Sequence, residues 1–437
     1  MGAAMTRDAD MTNDADRADR RPADPAGPGG PGGPGGPARR RWVPLSSLPP
    51  EVLVLSAVAF SVALGFGIVA PAIPLFAKQF GVSNAEASSV VSAFALMRLV
   101  TAPLAGRLVD RLGERVIMAT GIAIVGVSSL MAGLSGSFGQ LVVLRGVGGV
   151  GSAMFSVSAT SLLLRVVTPD QRGRAAGAFQ AGFLFGGITG PLFGGALTSW
   201  SLRAPFFIYA ATLLLAGTVA TVYLARAQLQ RREAVAGTDH APTPFLTAVR
   251  NRAYRAALIN NFATGWAIVG VRASVVPLLV SQVLHERPAW TGYGIFVSSA
   301  VQAALLGPVA RRVDGSGRRR FLRAGAALGT CGCVALAFTH ALPLFLVAMA
   351  LFGAATAMLS TSAAAVVGDV IGGRGGTAIA GFQMSADAGQ SIGPVVAGSL
   401  SDSYSYQTAF LASAGVSAVA LVAALAMPET RKVVAPA

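Results

Sequence analysis

The chain has 437 residues, 53% of them hydrophobic and only 12% charged, with a mean hydropathy of +0.61. A soluble protein carries about 25% charged residues, so this balance excludes a water-soluble globular domain and implies a polytopic helical membrane protein. The net charge of +15 would suggest nucleic acid only if it formed a basic soluble surface. Cys331 and Cys333 lie two apart inside an apolar block, so on a helix they point in different directions and support neither a disulfide framework nor a metal site.

Residues 1–48 are a different material. Gly27 to Pro37 repeats Gly-Gly-Pro, and the preceding stretch mixes Asp and Arg with almost no apolar residue. Such a segment cannot bury enough surface to fold, and without an apolar run behind its charges it does not resemble a signal peptide. A disordered cytoplasmic tail is expected. From Glu51 onward twelve apolar spans are predicted, near 52–76, 86–105, 116–134, 138–164, 175–198 and 205–225, then 254–284, 290–310, 321–340, 342–368, 377–399 and 407–427. The polar stretch Arg226 to Arg252 divides them six and six. The expected domains are an N-terminal six-helix bundle over 49–225, a cytoplasmic linker over 226–253, a C-terminal bundle over 254–428 and a tail over 429–437. With the amino terminus inside, 24 Lys and Arg near the membrane fall in cytoplasmic segments, against Lys78, Arg203 and Arg287 outside. The positive-inside rule then puts both termini of a multi-pass cell-membrane protein in the cytoplasm. The excess charge is topological, and no nucleic-acid partner is expected.

Span 1 contains Gly65-Phe-Gly67-Ile-Val-Ala-Pro71-Ala-Ile-Pro74. Arg98 in span 2 lies nearer the cytoplasmic end, where it can reach water, and reads as mostly structural. The loop after span 2 is Gly106-Arg-Leu-Val-Asp110-Arg111-Leu-Gly113-Glu-Arg115. Gly106 and Gly113 permit tight turns, and Asp110 can pair with nearby Arg or cap a helix amino terminus. Span 4 carries Arg145-Gly146-Val-Gly148-Gly149-Val-Gly151-Ser152-Ala153. An Arg at membrane depth costs at least ~2.5 kcal/mol unless paired or hydrated, and the small residues clear space beside it. In span 5, Gly182, Gly186, Gly190 and Gly194 form a stripe spaced by four that lets a neighbouring helix approach, while Pro191 removes a backbone bond and permits a bend.

These segments resemble the major facilitator superfamily. The loop after span 2 is similar to its signature loop, and span 4 to its Arg-containing fourth-helix motif. Span 5, with Gly177, Gly186, Gly190-Pro191 and Gly194-Gly195, resembles the fifth-helix motif of its drug/proton antiporters. Span 1 and the loop Asp170-Gln-Arg172-Gly173-Arg174 fit as well. The resemblance covers spans 1 to 5 strongly and implies twelve transmembrane helices in two pseudo-symmetric six-helix bundles around a central cavity. It implies that Gly106, Asp110, Arg111, Gly113 and Arg115 latch the halves in an outward-open state, and that Gly186, Gly190, Pro191 and Gly194 serve gating. It ties Arg145 to proton coupling; a structural Arg145 bonded to backbone carbonyls is the alternative. In the second-half counterpart of the loop, Gly307 to Arg320, Arg311 stands where Asp110 would be.

Span 7 puts Asn261, Thr264 and Arg272 on one face. Arg272 is a candidate contact for a substrate anion, a gating charge, or a paired or snorkelling residue. Trp266 is a candidate cavity residue; Trp290 and Tyr293, at an outer span end, suit the interfacial belt. Span 11 holds Asp387, the one acid well inside an apolar block, and Gln383, Asp387 and Gln390 share its face. Gly381, Ser385, Gly389 and Gly393 lie roughly opposite. A carboxyl at that depth suits binding and releasing a proton, which makes Asp387 the leading proton carrier; a structural pair with Arg272 is the alternative. An offset of 203 aligns Phe179, Gln180, Gly186, Gly190, Pro191 and Gly195 with Phe382, Gln383, Gly389, Gly393, Pro394 and Gly398. A parallel repeat of this kind places a substrate site between the halves, so Gln180 joins Gln383, Gln390, Asn261, Trp266 and Arg272 as candidate cavity residues.

The expected function is proton-coupled efflux of small amphiphilic molecules by alternating access. The expected partners are a small-molecule substrate, protons and membrane lipid, with the chain acting as a monomer without cofactor or metal. Proton-driven import of a sugar or carboxylate, and a non-transporting membrane sensor, are the alternatives. No constellation supports an enzyme. The span interiors hold three Arg and one Asp, which favours neutral or anionic substrates over lipophilic cations.

Overall fold

A long apolar run can satisfy its backbone within a bilayer only as a helix or as part of a closed barrel. A computed structural model of the chain describes residues 48–167, 171–226, 245–371 and 376–430, and among these it has helices and no strand. Span 1 is made of α1 (Pro50–Val69) and α2 (Ala72–Lys78), broken where Pro71 has no N–H to continue the ladder. The next five spans are α3 (Asn84–Leu112), α4 (Glu114–Gly133), α5 (Phe138–Val166), α6 (Arg172–Trp200) and α7 (Ala204–Arg226). After a short α8 (Phe245–Arg250), span 7 joins α9 (Arg252–Ala263), a π-helical segment (Thr264–Val271) and α10 (Arg272–Gln282). Then come α11 (Ala289–Ser316), α12 (Arg318–Ala337), α13 (Leu342–Ile371), α14 (Gly376–Ser403) and α15 (Tyr406–Ala426).

Each of the twelve expected spans therefore falls on helix. Ten of these units are long and apolar enough to cross a bilayer, by length and composition. The other two, α12 and α14, are helical but more polar: α12 opens on Arg318, Arg319 and Arg320, and α14 carries Gln383, Asp387 and Gln390. Successive units reverse direction, giving one end of the assembly marked by Asn84 and an opposite end marked by Gly113. Residues 1–47 of the tail expected over 1–48, residues 227–244 of the linker and residues 431–437 lie outside the described residues, as do Asp170 and the side chain of Arg172.

Two boundaries differ from the sequence reading. α3 runs on to Leu112, so Gly106 sits inside a helix and makes no turn. The turn is made by Gly113 alone, at φ +85, and by Gly317 at φ +96 in the second half, a conformation that glycine adopts without a Cβ clash. The polar stretch after Arg226 is also partly helical, because α8 occupies Phe245–Arg250 and α9 already starts at Arg252.

Apolar side chains form two main cores. One draws on α1 to α7, with Leu55, Phe76, Met118, Phe155 and Phe206 among its buried members. The other draws on residues from Ala248 onward, including Tyr254, Phe345, Phe352 and Phe410. Within the first, the glycine stripe of α6 lies directly on the backbone of α1. A Cβ on Gly182, Gly186, Gly190 or Gly194 would run into the carbonyl oxygen of Ser56, Phe60, Leu64 or Ile68, one four-residue spacing matched by another. The second half repeats the contact, with Gly389 against the Phe262 carbonyl and Gly393 against the Trp266 backbone. Pro191 packs on Gly67, and Pro394 on Gly270, and both pairs are related by the offset of 203. The internal repeat is thus a repeat of packing.

Because no volume is free there, Gly186→Leu should overpack the α1–α6 contact at a cost of about 1–3 kcal/mol. Gly187→Ala serves as its control, since a Cβ at Gly187 meets nothing within 4 Å. Thermal unfolding of the detergent-purified protein is expected to show a lowered Tm for the first and, because alanine suits a helix better than glycine, an unchanged or slightly raised Tm for the second.

Candidate functional site

Arg98 lies half-way along the 29-residue α3, and Asp387 near the middle of the 28-residue α14. They meet across the two halves of the chain, with Arg98 Nη2 3.2 Å from Asp387 Oδ1. The side chain of Asp387 is only 8% exposed, that of Arg98 36%. A guanidinium at this depth is costly against lipid tails, and Arg98 is the more open member of the pair. The partner of Asp387 is therefore Arg98, read from the sequence as mostly structural, and not Arg272. Sequence spacing shows which residues share a face of one helix but not which helix lies opposite; α3 is brought to α14 by contacts near their ends. Arg272 is half-buried and donates from Nη1 to Ser298 Oγ at 2.9 Å, on α11. It follows the π-helical segment, and its own N–H bonds to the Ala267 carbonyl five residues back. Such a bulge turns the next side chain away from the direction a regular helix would give it.

Arg145 is 2% exposed, and its guanidinium carbon lies 4.7 Å from the centre of the Phe94 ring. The Nε atom has no hydrogen-bond partner among the described residues. Arg145 is thus held by a cation–π contact rather than by backbone carbonyls. The glycines after it explain the geometry: a Cβ on Gly149 would strike the Phe94 carbonyl, and one on Gly148 would sit 3.5 Å from the Phe94 ring. Phe94 is one helical turn from Arg98, so Arg145, Phe94, Arg98 and Asp387 form one column from α5 through α3 to α14.

The other candidates separate. Asn261 Nδ2 donates to the Phe382 carbonyl at 2.6 Å and to Ser385 Oγ at 3.3 Å, tying α9 to α14. Trp266 is buried, and its indole donates to Ser413 Oγ on α15 at 3.2 Å, which places it in the core. Gln390 is buried on α14, whereas Gln383 and Gln180 are exposed. Gly186, Gly190 and Gly194 serve the α1 contact, while Pro191 also reaches the other half, its carbonyl standing against Gly292. The segment expected as a loop is instead the last turns of α3, where Asp110 and Arg111 are exposed, and Asp110 makes no ion pair among the described residues. The buried acid there is Glu114, whose Oε2 lies 2.9 Å from Arg165 Nη1. Arg115 is half-buried and partnered.

The cross-half hydrogen bonds among the described residues cluster at the Asn84 end. Asp402, near the end of α14, accepts the N–H of Asn84 through Oδ1 at 2.9 Å and that of Ala85 through Oδ2 at 2.7 Å. These are the first residues of α3, already capped by Ser83 and Glu86. A carboxylate at a helix amino terminus gains about 0.3–1 kcal/mol from the helix dipole. Asn84 Nδ2 donates to Tyr406 Oη at 3.1 Å, and Tyr406 donates to Gln282 Oε1 at 2.7 Å. The companion contact joins α6 to α11, where the Ala289 N–H donates to Ser199 Oγ at 3.0 Å. Ser199 and Asp402 are again related by the offset of 203. At the Gly113 end, a Cβ on Gly106, Gly113, Gly177, Gly307 or Gly368 would meet nothing within 4 Å. Among the described residues the halves are thus hydrogen-bonded to each other at the Asn84 end. The sequence reading missed Asp402; the repeat offset applied to Ser199, with the Ser83-x-x-Glu86 capping box marking the start of α3, would have singled it out.

Asp402→Ala is expected to release the Asn84 and Ala85 amides. Their hydrogen exchange should quicken by about two- to thirtyfold, the range set by losing a cap of about 0.5–2 kcal/mol, while amides in the middle of α4 keep their rates.

Comparison with known proteins adds three findings. The family model of the Major Facilitator Superfamily matches residues 55–315 and 273–436. Multidrug resistance protein 2 of Bacillus subtilis (strain 168) is 32% identical over 181 residues, covering 41% of this chain and 45% of that protein. Quinolone resistance protein NorA of Staphylococcus aureus (strain MRSA252) is 30% identical over 174 residues, covering 40% and 45%. The matched stretch thus spans less than half of the length of these curated relatives. Among solved structures, a bacterial homologue of the human lysosomal transporter Spinster, inward-facing and unoccupied, superposes with a TM-score of 0.71 at 15% identity. That match covers 88% of this chain and 98% of the other and is a likeness of fold.

Proposed function

The chain belongs to the Major Facilitator Superfamily, and from that premise we propose that it exports small amphiphilic molecules across the cell membrane in exchange for protons, by alternating access. The observation that carries the reading is the buried Asp387 carboxylate, held at mid-depth by a cation from the other half of the chain. An ionised Asp387 draws α14 to α3 through Arg98, and a protonated one does not. Proton binding and release therefore change how strongly the halves adhere, which is what coupling requires. The names of the partly matching relatives, multidrug and quinolone resistance proteins, support drug-like cargo and outward transport.

The moving bodies are the bundles over 49–225 and 254–428, joined by the linker over 226–253. Arg107, Arg111, Arg165, Arg311, Arg312 and Arg318 to Arg320 lie toward the Gly113 end, and Lys78, Arg203 and Arg287 toward the Asn84 end. The Gly113 end is then cytoplasmic, with both termini on that side, and the hydrogen bonds at the Asn84 end join the halves on the outer side. An exposed Asp110 fits a latch that engages only when that side closes. Asp387 is the proton carrier in this account. Arg145 biases it through the Phe94 column, and Arg272, with Gln383 and Gln390, borders the route of the substrate. One chain suffices for the cycle.

The test is proton movement into proteoliposomes loaded with a pH dye, under an imposed pH gradient, on adding a quinolone and then neutral and anionic amphiphiles. The wild type is expected to move protons in response to at least one of them, and Asp387→Asn to fall to the level of protein-free vesicles. Full flux in the variant would remove Asp387 from the carrier role. A wild type that couples none of the compounds to protons would overturn proton-coupled export.

A further inference from the structure

Among the described residues, four charges lie well inside the spans: Arg98, Arg145, Arg272 and Asp387. They are not equally reachable. Arg145 is sealed against Phe94, and Asp387 is almost wholly covered. Arg98 is the charged group of its pair that a molecule between the halves meets first, at 36% exposure against 8% for the carboxylate it covers. The pair meets at Nη2 and Oδ1, 3.2 Å apart, and a guanidinium carries five N–H donors in a planar fork, more than one carboxylate can take. Donors therefore remain on the open side. Phe94 lies one helical turn from Arg98 along α3, and the half-buried Phe66 has its ring centre 6.1 Å from that of Phe94, so the column that carries Arg98 also carries an aromatic surface.

We infer that Arg98 sets the charge of the molecules this site accepts: it closes the interior carboxylate to cations and offers its own free N–H donors to aromatic carboxylates and other anionic or neutral amphiphiles. The inference rests on the export reading and narrows its substrate class. A cation can reach Asp387 only by displacing Arg98, which breaks the ion pair that joins α3 to α14 at mid-depth and leaves two like charges side by side. Like-charge juxtaposition of this kind is what rejects wrong ligands at a recognition site. An aryl carboxylate meets none of these obstacles, because its oxygens take the outer donors of Arg98 while its ring lies toward Phe66.

The experiment measures binding separately from transport. Equilibrium dialysis of the full-length protein in detergent compares 1-naphthoate with tetraphenylphosphonium, an aromatic anion and an aromatic cation. The wild type is expected to hold the anion at least about tenfold more tightly. Arg98→Gln is expected to invert the order by uncovering Asp387, and Arg98→Lys, which keeps the charge, to preserve it. Should Arg98→Gln fail to fold around an unpaired carboxylate, the double variant Arg98→Gln/Asp387→Asn carries no buried charge there. It is expected to have lost the anion preference without gaining the cation. A wild type that prefers the cation, or an anion preference retained by either glutamine variant, would overturn the inference. If the binding order inverts as described while no probe moves protons in vesicles, the charge assignment stands and the export reading falls.

Discussion

Among the described residues, an ion pair at mid-depth, Arg98 with Asp387, crosses the two halves of the chain. Removing a carboxylate from water is costly unless a counter-charge compensates it, so Asp387 cannot stay ionised in the interior of α14 on its own. The counter-charge comes from α3, which meets α14 both at this ion pair and through the Asp402 grip on its amino terminus. The glycines of α5 let α3 approach closely enough for Phe94 to sit under Arg145, which fixes the rotation of α3 and with it the direction of Arg98. Electrostatics at the centre and packing at the periphery are thus one constraint.

The repeat shows how a symmetric scaffold acquires an asymmetric function. Both halves use glycine on carbonyl to seat their fifth helix on their first, and both close the Asn84 end through the amino terminus of the helix opposite. At the related positions one half supplies Ser199 and the other Asp402. A hydroxyl offers one acceptor to one amide, whereas the carboxylate grips two amides and complements the helix dipole. The same inequality appears at depth, where the second half holds the acid and the first half the base. Opening at the Asn84 end therefore breaks a strong contact on one side and a weak one on the other.

The steps legible in the sequence are those governed by one helix or one turn at a time. Apolar length placed every span on helix, and the four-residue glycine spacing of span 5 announced a close helical neighbour before that neighbour, α1, was known. The turn at Gly113 was legible too, because a positive φ calls for glycine; Gly106 was misread because a glycine inside a helix looks the same in sequence as one at its end. Asp387 stood out as an acid in an apolar block. Its partner did not, since Arg98 and Arg272 are equally plausible cations until helices are set side by side. Trp266 looked like cavity furniture because an indole in an apolar run gives no sign of the hydroxyl that satisfies it, here Ser413.

By itself, then, the sequence determined that this is an all-helical membrane protein built from two repeated halves, with one interior carboxylate and an excess of interior guanidinium. Hydrophobic length, glycine spacing and charge are local quantities and survive without a fold. Tertiary structure alone decided which cation neutralises Asp387, which face of Arg98 stays open, and that Asp402 grips the start of α3. Each of these joins residues some three hundred positions apart, and no local preference of the chain carries information over that distance; only the packing of α3 against α14 brings them within hydrogen-bonding reach.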